Sequence, residues 1–288
     1  MFGRVMTAMV TPFKNNEVNY TEAVKIAKYL VENGSDSILV CGSTGESATM
    51  TRAEKIKLIS VIREAVKVPI VAGTGSNNTA DSVEFTKEVD KLGVDGFLVV
   101  TPYYNKPNQE GIFQHFKAVA EATTKPIVLY NIPGRCVKEI EVDTIARLSK
   151  IPNISYLKAA CGNLMNISMT QNSTDDDFVI YSGDDGLTLP MLTLGAQGVV
   201  SVASSIIGKE INQMIAEFKA GNTKKAQELH LEYFDVFRDL FCDTNPVPIK
   251  YALSKIGFDT EEVRLPMVEL DDKYKKIVDD MMKRHNLI

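Results

Sequence analysis

Short apolar runs rich in Val and Ile alternate along the chain with longer segments whose apolar residues recur at helical spacing. The runs cover residues 4–10, 37–42, 68–73, 95–101, 126–130, 154–158, 178–181 and 197–202. Each is too short for a helix, and neighbouring positions are apolar together, as in a strand covered on both faces. Between them, Thr51-Arg52-Ala53-Glu54 has the form of a capping box, and Ile56, Leu58, Ile59, Ile62 and Ala65 follow it. Segments 20–31, 81–92, 111–122, 142–148, 163–171, 185–194 and 208–220 fill the other gaps, several ending at a Gly or Pro such as Gly34, Gly93 or Pro152. Eight strands alternating with eight helices predict an α/β fold, a (β/α)8 TIM barrel. A doubly wound sheet also alternates, but it usually has fewer strands and often a Gly-rich first turn, which is missing here.

The alternation stops near Gly221. Ala226, Leu229, Tyr233, Phe237, Leu240 and Phe241 form an amphipathic stripe, Asn245-Pro246-Val247-Pro248 breaks it, and two more helical segments follow. The expected organisation is a catalytic barrel over residues 1–221 and a C-terminal three-helix appendage over 222–288, packed on the barrel.

Composition narrows the function. A net charge of −5 argues against nucleic acid or an anionic membrane as a partner. No apolar stretch reaches the length of a membrane span, and residues 1–6 lack a signal-peptide core, so a cytoplasmic location is expected. Cys41, Cys136, Cys161 and Cys242 form no CxxC pair, and His115, His230 and His285 form no HxH or HxxxH pair. Reduced thiols and no metal site are expected.

In barrel enzymes the active site lies at the C-terminal ends of the strands. Those ends carry Gly42-Ser43-Thr44-Gly45-Glu46, Gly73-Thr74-Gly75, Thr101-Pro102-Tyr103-Tyr104-Asn105, Tyr130-Asn131-Ile132-Pro133-Gly134-Arg135, Lys158, Gly183-Asp184-Asp185 and Ser201-Val202-Ala203-Ser204. Lys158 ends a strand-like run, where burial disfavours the ammonium and leaves a nucleophilic amine. Such an amine condenses with a ketone, a phenol moves the protons, backbone N–H groups hold a small carboxylate, and Arg135 grips a second one. Each piece also has a plainer reading. Lys158 could snorkel to solvent, residues 42–46 could be a plain turn, Tyr103 and Tyr104 could be packing aromatics, and Arg135 a solvated charge. Asp184 and Asp185 suit a helix N-terminus. The placement of every piece at a strand end favours the chemical reading.

Gly42-Ser43-Thr44-Gly45-Glu46-Ser47, Thr101-Pro102-Tyr103-Tyr104-Asn105-Lys106-Pro107, Tyr130-Asn131-Ile132-Pro133-Gly134-Arg135 and Leu157-Lys158 together resemble the dihydrodipicolinate synthase family, within the N-acetylneuraminate lyase superfamily of class I pyruvate aldolases. The resemblance covers nearly the whole chain. It implies a lyase that condenses pyruvate with L-aspartate 4-semialdehyde to 4-hydroxy-tetrahydrodipicolinate, in lysine and diaminopimelate biosynthesis. It implies no separate cofactor, the reaction running through a covalent imine between pyruvate and Lys158. By position, Tyr130 relays protons, Thr44 links Tyr130 to Tyr104, and Tyr104 reaches into a neighbouring subunit. Ser43 and Thr44 bind the pyruvate carboxylate, Arg135 binds that of the semialdehyde, and Gly183 and Val200 line the pocket. A homotetramer built as a dimer of dimers, or a dimer, is implied.

Two departures border the site. Ala159 stands where an acidic residue commonly follows the lysine, and Cys136-Val137 where threonine-glycine often follows the arginine. The family's lysine-inhibited members resemble this chain at Ser47, Ala48, Asn77, Asp81 and Tyr103, but carry histidine or glutamate at the position of Lys55. A cation there repels bound lysine, so weak or absent inhibition is expected. A phosphate-binding barrel isomerase would need a glycine-rich cradle after the last strands, and residues 201–205 contain no glycine. Two other readings stand beside this one: another pyruvate aldolase acting on sialic or keto-sugar acids, and a non-catalytic barrel that binds a keto acid. Arg135 speaks against the first, and the set Lys158, Tyr130, Thr44, Tyr104 and Arg135 against the second.

Overall fold

A computed structural model describes residues 2–288; Met1, the first residue of the N-terminal stretch read above, lies outside the described residues. The barrel strands are β1 (Val5–Ala8), β2 (Ser37–Val40), β3 (Ile70–Gly73), β4 (Gly96–Val100), β5 (Ile127–Asn131), β6 (Ile154–Ala159), β7 (Val179–Ser182) and β8 (Gly198–Ser201). They run in the order β1-β8-β7-β6-β5-β4-β3-β2 as a closed barrel, and a separate two-stranded hairpin joins Phe13–Lys14 to Glu17–Val18. The strands are shorter than the apolar runs, because the runs continue into buried loop residues such as Met9 and Val10.

The chain divides into two compact units, one reaching to Pro69 and including Ser201–Ile288, the other Ile70–Val200. In the first unit β1 pairs with β2 in parallel, Thr7 opposite Ile38. All four residues of each strand are buried, which is why these segments read as unbroken apolar runs. The buried Thr7 hydroxyl is satisfied by Ser35 Oγ at 2.5 Å and Ser204 Oγ at 2.7 Å. Helix Arg52–Ala65 opens with the expected capping box, Thr51 accepting from Glu54 N and the Glu54 side chain accepting from Thr51 N. Helix Ser204–Lys219 begins four residues before the expected 208, because its first turn is joined to the rest across non-helical Ile207 (φ −132°, ψ 41°).

The C-terminal region differs from the expectation of three helices. Helices Thr223–Glu232, Phe234–Asp239, Val247–Lys255 and Asp272–Arg284 are present. The amphipathic stripe is one pattern but two helices, interrupted at Tyr233 (φ −99°, ψ 9°). Its buried residues run through the break, from Ala226 and Leu229 to Val236, Phe237 and Leu240, whereas Phe241 is 48% exposed.

In the second unit β3 to β8 form a continuous parallel succession. Tyr130 on β5 lies in register with Lys158 on β6, and Lys158 with Tyr181 on β7. Segment 185–194, expected as one helix, is a 3-10 turn Asp185–Leu187 followed by the short helix Thr188–Leu192. Among the described residues, no helix is long and apolar enough to cross a membrane.

Candidate active site

Lys158 sits in the second unit, one residue before the end of β6, and is 6% exposed. Its side chain points along the face shared with Tyr130, and Nζ lies 4.2 Å from the centre of the Tyr130 ring. Burial pulls the amine down to about 7; the Asp185 carboxylate opposes that fall, and Arg135 adds to it. The shift corresponds to roughly 5 kcal/mol against the charged form. About half of the amine is therefore the nucleophilic free base near neutral pH.

The neighbouring strands fix this lysine. Tyr130 is itself buried, and its carbonyl accepts from Thr101 N at 3.0 Å and Thr101 Oγ1 at 2.9 Å. Gly183, just past β7, donates its N–H to Ala159 O at 2.7 Å. A Cβ at position 183 would lie 2.9 Å from Ala160 Cβ and 3.1 Å from Lys158 Cγ. Only glycine lets the loop lie against the lysine stem. Val200 on β8 is buried in the same unit.

Asp185 is the residue of this unit that sequence reasoning read otherwise. Asp184, not Asp185, serves the turn, accepting from Gly186 N at 3.0 Å. Asp185 is 3% exposed, and its charge acts on Lys158. The adjacent Asp-Asp pair was the available signal, since a single cap needs only one carboxylate.

Arg135 lies on the short helix Pro133–Cys136 and is exposed. Its loop is stapled by Asn131, whose side chain accepts from Ile140 N at 3.0 Å and donates to Ile140 O at 3.2 Å. Two side-chain hydrogen bonds across nine residues give the guanidinium a fixed base on an otherwise exposed loop. Val137 closes the helix in the left-handed region at φ 58° and is 66% exposed. A β-branched residue is strained in that conformation, which a glycine would relieve.

Tyr103 is 37% exposed and Tyr104 is 88% exposed. Tyr104 also has a positive φ of 71°, and Asn105 ties this loop to Asn77 O with a 2.8 Å hydrogen bond. A large aromatic held outward by a constrained backbone is not packing within its own chain. Asp81 stands in the first turn of helix Thr79–Asp90, its N–H capped by Asn78.

Ser43 and Thr44 belong to the first unit, in the turn after β2. Gly45 N donates to Gly42 O at 3.1 Å and Glu46 N to Ser43 O at 3.1 Å. Thr44 is 4% exposed, and its Oγ1 accepts from Asn245 Nδ2 at 2.9 Å. Glu46 adopts φ 52° and forms a 2.6 Å ion pair with Lys250, both side chains fully buried. Arg264 N donates to the other Glu46 oxygen at 3.2 Å. In the sequence Asn245 reads only as part of a helix-breaking stretch and Lys250 carries no signal, because partners about two hundred residues apart leave no local pattern. Ser47 and Ala48 occupy the 3-10 turn Ser47–Thr49, and Lys55 lies on helix Arg52–Ala65. The charge of Lys55 partly offsets the burial that pushes the Cys41 thiol up to about 12. Among the described residues, no group of three or more His, Cys, Asp or Glu is arranged to hold a metal ion.

Known proteins match the chain end to end. The model of the dihydrodipicolinate synthetase family matches residues 1–285. A 4-hydroxy-tetrahydrodipicolinate synthase from Desulforamulus reducens is 50% identical, covering 100% of this chain and 98% of its own. Dihydrodipicolinate synthase from Cyanidioschyzon merolae, solved with lysine bound, superposes with a TM-score of 0.98 at 46% identity, covering 100% of this chain and 99% of its own. The chloride-inhibited enzyme from Acinetobacter baumannii, complexed with pyruvate, gives a TM-score of 0.97 at 36% identity, with 100% of both chains covered. The chain belongs to the dihydrodipicolinate synthetase family.

Proposed function

We propose that Lys158 is the Schiff-base lysine of a lyase that condenses pyruvate with L-aspartate 4-semialdehyde to give 4-hydroxy-tetrahydrodipicolinate, a step of lysine and diaminopimelate biosynthesis. The carrying observation is the sealed amine of Lys158, pulled down to about 7 by burial and set against the Tyr130 ring. The relatives' names favour this reaction over cleavage of sialic or keto-sugar acids. No separate cofactor is needed: the free amine adds to the pyruvate ketone, water leaves, and the iminium draws electrons from the methyl carbon. That carbon loses a proton to give the enamine, which attacks the aldehyde; the amino group of the semialdehyde then displaces Lys158 from the iminium carbon, closing the ring and releasing the free amine. Tyr130 carries protons at the nitrogen and the aldehyde oxygen, assisted by Thr44 and Tyr104.

Ser43 and Thr44 hold the pyruvate carboxylate, and Arg135 holds the carboxylate of the second substrate in a bidentate grip. Gly183 and Val200 line the pyruvate site. The 88% exposure of Tyr104 supports its insertion into a neighbouring subunit, so a dimer is the minimal active unit and a tetramer of two such dimers the full assembly. The chemistry falls within residues 1–221, the helical region 222–288 supporting it, and the enzyme works in the cytoplasm. Reduction with borohydride in pyruvate tests the reading: peptide mapping should place the added mass on Lys158, and no adduct, or one elsewhere, overturns it. Ser47, Ala48, Asn77, Asp81 and Tyr103 form a lysine site weakened by the cation of Lys55. A lysine titration should show little inhibition; strong inhibition refutes that part.

A further inference from the structure

Three consecutive residues of the turn after β2 are each held by a side chain from elsewhere in the first unit. Thr44 Oγ1 accepts from Asn245 Nδ2 at 2.9 Å. Gly45 O accepts from Thr11 Oγ1 at 2.7 Å. Glu46 pairs with Lys250 at 2.6 Å. Two of these three partners come from one short stretch, Asn245 just before helix Val247–Lys255 and Lys250 within it. The ion pair anchors this helix to the turn, and that places the Asn245 amide against the Thr44 hydroxyl. Asn245 is 6% exposed and Thr44 4%, so the bond is shielded from competing water.

A threonine hydroxyl has one proton to donate and two lone pairs to accept with, whereas an amide nitrogen only donates. The bond from Asn245 therefore takes a lone pair of Thr44 and leaves its proton available. It also restricts the rotation of a hydroxyl that otherwise turns to suit any neighbour. We propose that Asn245 is a positioning residue for the reaction: it orients Thr44 so that the hydroxyl keeps its proton for the chemistry instead of spending it on the Asn245 side chain. The proposal rests on the reading above, in which Thr44 takes part in proton relay with Tyr130. The C-terminal helical region thereby sets the direction of hydrogen bonding at a barrel residue.

Asn245→Leu removes the donor while keeping the branched shape. Full-length enzyme carrying it should lose about tenfold in kcat, the size of one shielded hydrogen bond, with KM for pyruvate little changed. The same substitution in a Thr44→Val background should cost nothing further, because the effect travels through that hydroxyl. Should Asn245→Leu fail to fold, Asn245→Asp, which presents an acceptor where Asn245 presents a donor and so draws the Thr44 proton to itself, is put through the same cycle. An unchanged kcat in a folded variant overturns the proposal, as does a loss that persists undiminished without the Thr44 hydroxyl. Borohydride trapping of pyruvate separates the two levels. Absence of an adduct on wild-type Lys158 defeats the underlying reading, while normal trapping with unaltered kcat in Asn245→Leu defeats only this inference.

Discussion

Lys158 and Lys250 are both sealed from solvent, at 6% and 0% exposed, and burial lowers the basicity of each. Their partners differ. Lys250 meets the Glu46 carboxylate at 2.6 Å, reaches the carbonyl of Glu262, and lies 4.5 Å from the centre of the Phe13 ring. The carboxylate, the carbonyl and the ring face all favour an ammonium. Lys158 has the face of the Tyr130 ring, while Asp185 acts on it through its field. One amine is compensated and holds a turn in place; the other is left close to losing its proton. Burial alone therefore does not mark a reactive lysine. On the proposed reading, what marks it is burial at the end of a barrel strand with no ion-pairing carboxylate in direct contact among the described residues.

Exchanging the two defects should separate chemistry from stability. Lys158→Ala should abolish borohydride trapping and reduce turnover by at least about 10⁴-fold. Its stability in urea should stay within about 1 kcal/mol of wild type, since the substitution removes a costly buried amine. A trapped adduct in that variant ends the assignment. Lys250→Met strands the Glu46 carboxylate and should destabilise the fold by about 3–5 kcal/mol, read from urea unfolding. Glu46→Leu added to it should recover much of the loss, because a paired buried charge can be replaced by apolar groups at little cost. If Lys250→Met left stability unchanged but removed trapping, the two lysines would have been assigned the wrong way round.

The contrast between the two lysines also shows what a sequence carries. The barrel was readable because each strand is buried on both faces and so becomes an unbroken Val- and Ile-rich run. The lysine at the end of β6 was readable for the same reason, as a charge interrupting such a run. The capping box at Thr51 was local, and local chemistry survives into the structure. Tyr233 was not readable: a change of one residue's backbone angles splits a helix without disturbing the amphipathic stripe. The pairing of Glu46 with Lys250 and of Thr44 with Asn245 was not readable either, since tertiary folding alone brings those residues together. Asp185 looked like a helix-capping residue because Asp184 beside it is one.

The acid side of the pH profile follows from the same asymmetry. On the proposed reading Lys158 reacts only as the free base, and its pKa is lowered to about 7 by burial. Above that value the amine is neutral, and kcat/KM for pyruvate should level off. Well below it the amine is protonated, and kcat/KM should fall about tenfold per pH unit, roughly fiftyfold in all between pH 7 and 5. A flat profile over that range would contradict a buried, proton-losing nucleophile.

Asp185→Asn gives the smallest effect and the sharpest comparison, because it removes the carboxylate that opposes deprotonation of Lys158. The negative charge raises the lysine's pKa, so its loss must lower it further. More of the amine is then free at acid pH, and the acid limb should move to lower pH, a gain of about threefold in kcat/KM at pH 6. Aspartate and asparagine have the same shape, so packing is little disturbed, and a pH-rate series on the two enzymes isolates the charge. A limb that moves to higher pH would mean that Asp185 acts on the reaction by some route other than its field. The corresponding change beside the other lysine, Glu46→Gln, should leave this limb where it is, since that carboxylate serves Lys250.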